Sequence, residues 1–287
     1  MISFPRSPRA AFLALVMVAG LAPAAAAQTA PANAPTVPLF TRDDAYLGGL
    51  VLVGTAALWP VDAKVAEALQ KPNRQANKLF QHLATDVRIV AVPGAVVIGT
   101  TMYAVGRLAH SPWMADIGLH GEEALLAGDI VNTAIKWTAG RGRPFVEGDT
   151  NPHDYRLLRG WQRGRDYSSF PSGHALAAFS AAAAVTNETA HWWRAGEWYV
   201  GPVLYAGATA VALSRLYNNQ HWASDVIMGA GIGIFAGNKI VRFNHRTHPN
   251  NRVDRWLLTG SLRHDATGGL AMSWSVMPSR LMGFPQR

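Results

Sequence analysis

The chain consists of a series of long apolar runs separated by segments rich in proline, glycine or charged residues. Apolar residues recur at helical spacing within these runs, and Pro60 and Gly140 are typical helix stop signals. The predicted helical runs are 46–59, 87–106, 118–137, 172–185, 199–213 and 225–241. Most of the chain is therefore expected to fold as an all-α bundle, and neither a disordered chain nor a coiled coil fits the pattern.

The composition indicates either a large buried interior or contact with a membrane. Hydrophobic residues make up 49% of the chain and charged residues only 15%, against roughly 25% charged residues in an ordinary soluble domain. The absence of cysteine excludes disulfides, thiolate metal sites and thiol catalysis. The net charge of +8 is concentrated beyond Lys239. No basic motif interleaved with aromatics is present, so we expect no nucleic-acid partner and attraction of the basic tail to an anionic membrane.

The N-terminus is typical of a secretory signal peptide over residues 1–27. Arg6 and Arg9 precede an apolar core, and small residues follow as far as Ala27. The core is shorter than the roughly 20 residues of a comfortable span, although an uncleaved anchor is the alternative. We then expect a flexible leader over 28–43, a main domain over 44–241 and a basic tail over 242–287. The predicted location is outside the cytoplasm, in the periplasm.

The tail carries a strand pattern rather than a helical one. Leu270, Met272, Trp274 and Val276 alternate with small residues. The preceding turn-forming segment 265–269 follows a possible partner strand over 256–263. We therefore predict a small C-terminal β-hairpin appended to the bundle.

Polar residues in the 118–137 run bear on whether the bundle crosses a membrane. They are His120, Glu122, Glu123, Asp129 and Lys136. Such groups would be costly in hydrocarbon, which favours a body that is soluble or only rests on the membrane. An integral inner-membrane protein is the alternative. The Trp192–Tyr199 segment fits either an interfacial aromatic belt or a packed helix corner, and the sequence does not indicate an oligomeric state.

Two polar segments lie where predicted helices end and begin. Lys136 is in the last turn of a helix, where the helix dipole favours a cation, and Arg143 follows on a glycine-flanked loop. Ser172 is a good N-cap, and Gly173 allows close approach to the backbone. His174 is then in the first helical turn, beside free N–H groups that can bind an anion.

A third polar segment contains Arg215, His221 and Asp225. The histidine and the aspartate are four residues apart and share a helix face. A carboxylate bonded to one ring nitrogen would leave the other nitrogen as a nucleophile or base, and Arg215 could hold an oxyanion. Each segment alone also fits an ordinary helix end, loop or surface ion pair. Together they suit phosphoryl transfer without a metal ion, since no carboxylate cluster accompanies them.

These segments resemble the three-part signature of the type 2 phosphatidic acid phosphatase family. The matching motifs are Lys136-x6-Arg143-Pro144, Pro171-Ser172-Gly173-His174 and Ser214-Arg215-x5-His221-x3-Asp225. The family shares its fold with bacterial class A acid phosphatases and vanadium haloperoxidases. The resemblance implies a six-helix-type bundle over about residues 44–241 and a phosphatase that needs neither metal nor cofactor.

The resemblance also implies a role for each residue. His221 would attack phosphorus and form a phosphohistidine, Asp225 would orient His221, and His174 would protonate the leaving oxygen. The phosphoryl oxygens would be held by Lys136, Arg143, Ser172, Gly173 and Arg215. A bell-shaped pH profile is expected, since His221 must be neutral and His174 protonated. Arg141, beside the pocket, is expected to be solvated, and we expect no metal site at His245-x2-His248.

Several functional alternatives stay open from sequence alone. The substrate could be a lipid phosphate, such as phosphatidate or an isoprenyl diphosphate, or a soluble phosphomonoester. A vanadium-dependent haloperoxidase would use the same pocket, with His221 as the ligand of vanadate. A non-catalytic envelope or lipid-binding module would rely on the β tail instead. Membrane contact could be peripheral, through the Trp192–Tyr199 segment and the basic tail.

Overall fold

The computed structural model describes residues 37–146, 148, 150–248, 257–258, 261–264 and 270–273. The predicted signal peptide and most of the predicted leader lie outside these residues. The segment predicted to join the two strands of the tail lies outside them as well.

Helices account for most of the described chain, which confirms the predicted all-α class. They are α1 (Arg42–Leu58), α2 (Asp62–Leu69), α3 (Pro72–Gln75), α4 (Lys78–Ile89), α5 (Ala95–Leu108), α6 (Pro112–Ala139), α7 (Arg159–Arg163), α8 (Gly173–Trp192), α9 (Glu197–Tyr217) and α10 (Ala223–Arg242). Short 3-10 turns cover Trp59–Val61, Pro144–Val146 and Gly164–Tyr167, and π-helical turns cover Val90–Gly94 and Phe243–Thr247. Among the described residues, the six helices of at least fourteen residues are α1, α5, α6, α8, α9 and α10.

Local chemistry explains where the helices begin and end. The Asp44 carboxylate accepts a hydrogen bond of 2.6 Å from the Thr41 N–H, so α1 begins two residues before the predicted domain start. Gly140 adopts a left-handed conformation with φ of 56° and ends α6, as its position predicts. Ser172 caps α8 by accepting a bond from the Ala175 N–H. Val37, in the predicted leader, donates its backbone N–H to the Arg246 carbonyl at 3.2 Å.

Small residues let α8 and α10 pack closely. Gly229, Gly233 and Gly237 recur every four residues on α10, and a Cβ at any of them would collide with the backbone of α8 or the residues just before it. Small residues at this spacing are typical of closely packed helices in membranes. α10 also packs against α6 and α1, α9 packs on α8, and α5 packs on α6. The close contact fixes the start of α8 against the start of α10, where the Ser172 N–H donates to the Asp225 carbonyl at 2.9 Å.

The outer faces of the bundle are strongly apolar. On α1, Tyr46 and Leu50 are at least 70% exposed, and further large apolar side chains are exposed on α5, α6 and α9. Two continuous helical stretches, Arg42–Leu69 and Ala223–Thr247, are long and apolar enough to cross a membrane. A bent pair, Phe80–Val87 with Val92–Leu108, would be a third. This surface favours the integral-membrane alternative over the periplasmic body, soluble or resting on the membrane, that we predicted from the sequence.

Most polar residues of α6 face protein partners, so they oppose a membrane location less than we expected from the sequence. His120 is fully buried and bonded to Glu188, and Lys136 binds backbone carbonyls. Glu123 accepts a hydrogen bond of 2.8 Å from the side-chain amide of Asn244. Ionisable groups that face protein partners inside a bundle avoid most of the cost of exposure to lipid. Asp129 alone of the five is exposed on the surface of α6.

The described tail contains two short antiparallel strands, β1 (Ser261–His264) and β2 (Leu270–Ser273), with Ser261 opposite Ser273. Because the segment between them is outside the described residues, the hairpin stays a prediction. The division of the chain at residues 27, 43 and 241 also stays a prediction.

Candidate active site

The three sequence motifs meet at one end of the bundle, which we call the catalytic end. It is formed by the last turn of α6, the first turns of α8 and α10, and the described segments 140–146 and 150–172 between α6 and α8. Lys136 donates from its ammonium group to the Ser168 carbonyl at 3.0 Å and also to the Pro171 carbonyl. The Trp222 indole N–H donates to the Gly142 carbonyl at 2.9 Å. Residues far apart in sequence are thus joined by direct hydrogen bonds.

His221 is held with one ring nitrogen facing a backbone carbonyl. Its Nδ1 lies 2.8 Å from the Ser169 carbonyl oxygen, and its side chain is buried. Because a carbonyl oxygen can only accept, Nδ1 must carry the proton, and in the neutral ring Nε2 then holds the lone pair. Burial, together with the nearby Arg143 and Lys136 charges, lowers the pKa of His221 well below its usual value. The ring is therefore neutral at pH 7, as a nucleophile must be.

Asp225 supports His221 less directly than the sequence predicted. Its nearer carboxylate oxygen is 3.6 Å from His221 Nδ1, beyond hydrogen-bond distance. The same oxygen accepts from the Ser169 hydroxyl at 2.5 Å and from the Trp222 N–H at 2.9 Å. Ser169 therefore touches both partners, through its carbonyl to His221 and through its hydroxyl to Asp225. The expected direct carboxylate–histidine hydrogen bond is replaced by this two-part contact.

Arg141 was expected to be solvated, and that expectation is wrong. Its side chain is fully buried and donates to Asp225 at 2.5 Å and to Asp62 at 2.7 Å. It also donates to the Ser224 hydroxyl and to the Pro152 carbonyl. Its guanidinium carbon lies 5.0–6.0 Å from the ring centroids of Tyr155, Trp222 and Trp59, a cation–π arrangement. The arginine thus neutralises two buried carboxylates beneath the site.

Three further cations lie at the catalytic end. Arg143 is buried and donates to the Arg165 and Gln220 carbonyls at 2.7 and 2.9 Å. Arg215 is also buried, near the end of α9, with its carbonyl accepting from the Gln220 N–H. Burial and the Arg143 charge lower the pKa of Lys136 to about 7. A cation with that pKa gains its full charge when an anion binds beside it.

The first turn of α8 supplies the backbone portion of the site. Ser172 is fully buried at the N-cap, and Gly173 and His174 follow in the first turn, partly exposed. A Cβ built on Gly173 would lie 3.4 Å from the Asn132 amide nitrogen and 3.8 Å from Cε of Lys136. The start of α8 therefore lies directly beside the end of α6, with N–H groups available for an anion.

Four residues that the sequence interpretation did not place in the site belong to its surroundings: Asp62, Asn132, Arg141 and Ser169. Asn132 is one helical turn before Lys136 and almost completely buried. Its amide has no hydrogen-bond partner among the described residues. Helical spacing from Lys136 could have drawn attention to Asn132. No sequence spacing points to Asp62, which reaches the site from α2.

Known proteins are similar to the part of the chain that contains these residues. Residues 123–249 match the family model of the PAP2 superfamily. A lipid A 1-phosphatase of Porphyromonas gingivalis is 29% identical over 167 residues, which is 56% of this chain and 35% of that protein. The chain therefore spans about a third of the length of that relative.

A solved structure has a similar fold. It is a transmembrane PAP2 type phosphatidylglycerolphosphate phosphatase from Bacillus subtilis, with 19% identity and a TM-score of 0.52, and the match covers 74% of this chain and 99% of that one. The matched stretch 123–249 contains all three motifs and every predicted site residue. Residues 123–249 of the chain are therefore similar to the PAP2 superfamily.

Proposed function

We propose that this protein is a phosphatase that removes a phosphate group from a lipid, with His221 as the nucleophile. One observation carries the proposal: the Ser169 carbonyl fixes the proton of His221 on Nδ1, and burial keeps the ring neutral. Nε2 is then an unprotonated nitrogen in a site with several buried cations. This combination suits attack on a phosphate ester, in which negative charge must be stabilised on the phosphoryl oxygens.

The proposed reaction has two steps. Nε2 of His221 attacks phosphorus while the bond from phosphorus to the ester oxygen breaks. His174 donates a proton to that oxygen, so the alcohol leaves and a phosphohistidine remains. His174 then accepts a proton from water, whose oxygen attacks phosphorus while the bond from phosphorus to Nε2 of His221 breaks, so inorganic phosphate leaves and His221 is restored. The phosphoryl oxygens are held by Lys136, Arg143, Arg215, Ser172 and the Gly173 N–H.

A lipid substrate is supported by the surface of the bundle. The exposed apolar side chains of α1, α5 and α9 would place the catalytic end at the boundary of a membrane. A phosphate headgroup lies at that depth, whereas a soluble ester gains nothing from the location. The P. gingivalis and B. subtilis proteins both have lipid phosphates in their names. An integral-membrane location is part of this proposal.

The proposal is tested by phosphate release from the full chain in detergent micelles. Dioctanoyl phosphatidate, an isoprenyl diphosphate and p-nitrophenyl phosphate are compared for wild type, His221→Ala and His82→Ala. His82 is an exposed histidine of α4 and serves as the matched control. We expect turnover of at least one lipid substrate by wild type and His82→Ala, and a loss of at least about a thousandfold in His221→Ala.

Four results would contradict parts of the proposal. Unchanged turnover in His221→Ala would show that His221 is not the nucleophile. A preference for p-nitrophenyl phosphate would show that the substrate is not a lipid phosphate. Peroxide-dependent bromination after vanadate loading, without phosphate release, would favour the haloperoxidase hypothesis. Release of the chain from membranes by alkaline carbonate would contradict the integral-membrane location.

A further inference from the structure

Three ionisable side chains converge at the end of the bundle opposite the catalytic end, which we call the distal end. His120 lies on α6, Glu188 on α8 and His245 in the π-helical turn after α10. His120 Nδ1 is 2.5 Å from Glu188 Oε1, and His245 Nε2 is 2.9 Å from both carboxylate oxygens. His120 and Glu188 are fully buried, and His245 is partly buried.

The cluster is remote from the phosphatase site on the same helices. His120 precedes Lys136 by sixteen residues on α6, and Glu188 follows Ser172 by the same number on α8. At 1.5 Å per residue, each separation is about 24 Å along the helix axis. The cluster therefore cannot touch a phosphate bound at His221.

We propose that His120, Glu188 and His245 bind a divalent transition-metal ion of the zinc class. Each residue offers one ligand atom, and the three atoms lie within 4.8 Å of one another. Two imidazole nitrogens and one carboxylate oxygen form a donor set that suits Zn²⁺ and its neighbours better than Mg²⁺ or Ca²⁺. Ligand atoms about 3.3 Å apart surround a tetrahedral zinc ion with bonds of about 2.0 Å, so small side-chain shifts would suffice.

The charge of the cluster also favours a cation. In the metal-free arrangement, both ring nitrogens that face Glu188 must act as donors to one buried carboxylate. A metal ion takes the place of those two protons, leaves both rings neutral and compensates the buried negative charge. The ion would then link α6, α8 and the turn after α10 at a single point.

An open route leads to the cluster. His245 lines a cavity of about 750 Å³ at the distal end, together with His191, Asn187, Asp43 and Arg242 among others. The cavity gives an ion an entry path and leaves room for a water molecule as fourth ligand. The rings of His191 and His245 stack with centroids 3.8 Å apart, which holds the His245 ring in place.

A contact made by Asn244, next to His245 on the π-helical turn, also helps to position the cluster. The Asn244 side-chain amide donates to the Glu123 carboxylate at 2.8 Å and fixes the turn to α6. His248, three residues after His245, is exposed and packs against Phe243 instead. His245 is therefore paired with His120 and Glu188, which precede it by 125 and 57 residues, and not with His248.

The test uses the full chain in detergent, purified with a tag that contains no histidine. The protein is stripped with a chelator, dialysed against Zn²⁺ or Co²⁺, and its metal content is measured by mass spectrometry. Wild type and His248→Ala should retain about one ion per chain and show tetrahedral Co²⁺ absorption. Glu188→Gln and His245→Ala should bind at least about tenfold more weakly, because even the loss of a group that only orients a metal ligand typically costs about 10- to 100-fold in affinity.

Thermal unfolding keeps the proposal falsifiable if Glu188→Gln folds poorly. Zn²⁺ should raise the unfolding temperature of wild type and His248→Ala, and the shift should be lost in His245→Ala, whose side chain is partly exposed. Equal metal retention and equal thermal shifts in wild type and His245→Ala would overturn the proposal. So would a wild-type chain that retains no ion. Neither result would bear on phosphate release at the catalytic end.

Discussion

The two ends of the bundle both bring histidine next to a buried carboxylate, but they do so in opposite ways. At the catalytic end, Asp225 is 3.6 Å from His221 Nδ1 and is neutralised by Arg141. At the distal end, Glu188 binds His120 and His245 directly, at 2.5 and 2.9 Å. The same helices, α6 and α8, contribute to both sites.

The difference shows what determines the chemistry of a histidine. An arginine that satisfies the carboxylate leaves His221 neutral, with a lone pair on Nε2, as the proposed attack on phosphorus requires. A carboxylate shared by two histidines instead draws a cation to the group, whether protons or a metal ion. If this contrast is correct, activity at the catalytic end depends on both Arg141 and Ser169.

The largest effect is expected for Arg141→Gln. Its loss leaves Asp62 and Asp225 buried without a counter-charge, which should lower the free energy of unfolding by about 3–5 kcal/mol. Displacement of His221 should lower kcat/KM by at least about a hundredfold. Arg156→Gln is the matched control, because Arg156 is in the same loop and its side chain is 75% exposed. The free energy of unfolding and kcat/KM are measured for both variants. If Arg141→Gln loses no more of either than Arg156→Gln, Arg141 does not contribute to the site.

A smaller loss is expected for Ser169→Ala. The variant keeps the carbonyl that binds His221 but loses the hydroxyl that donates to Asp225 at 2.5 Å. A hydrogen bond to a charged group contributes about 1.5–3 kcal/mol, so kcat should fall about tenfold to a hundredfold. Ser168→Ala is the control, since its hydroxyl bonds only the Arg165 carbonyl among the contacts described. If Ser169→Ala retains full kcat, the link from Asp225 through Ser169 does not matter for the reaction.

The pH dependence tests the charge of Lys136. Its pKa is lowered to about 7, so the ammonium form is present below pH 7 and is lost as the pH rises above it. Because this charge is proposed to bind the phosphoryl group, we expect kcat/KM to fall by about tenfold per pH unit well above pH 7. In Lys136→Arg the cation persists, since arginine does not deprotonate in this range. An identical alkaline fall in Lys136→Arg would assign the fall to another group, whereas Lys64→Arg should leave the profile unchanged.

The sequence predicted the catalytic end far better than the distal end. Lys136, Ser172 and His174 lie at helix ends, where capping and dipole rules apply within a few residues. The spacing of His221 and Asp225 does bring the two residues within 3.6 Å, but His221 precedes α10, so the predicted shared helix face is wrong. Local rules of this kind also predicted the six long helices and the stop at Gly140.

Contacts that depend on tertiary packing could not be predicted in this way. Arg141 looks like a solvated loop residue until α2 and α10 bring Asp62 and Asp225 around it. His120 and Glu188 are 68 residues apart, with no periodic relation between them. The cost of His120, Glu123 and Lys136 on α6 was overestimated for the same reason, because their partners come from distant parts of the chain.

The smallest effects on kcat/KM are expected for Glu188→Gln and for the coupling between Glu188→Gln and Ser169→Ala. Glu188→Gln removes the shared carboxylate about 24 Å from the phosphate-binding groups, so kcat/KM should stay within about twofold of wild type. In the double variant with Ser169→Ala, the losses in catalytic free energy should add to within about 0.5 kcal/mol. Both variants and the double variant are assayed as folded, detergent-solubilised protein. A larger coupling would mean that the distal end controls the geometry of α8 at Ser172, and the two ends would then act as one site rather than two.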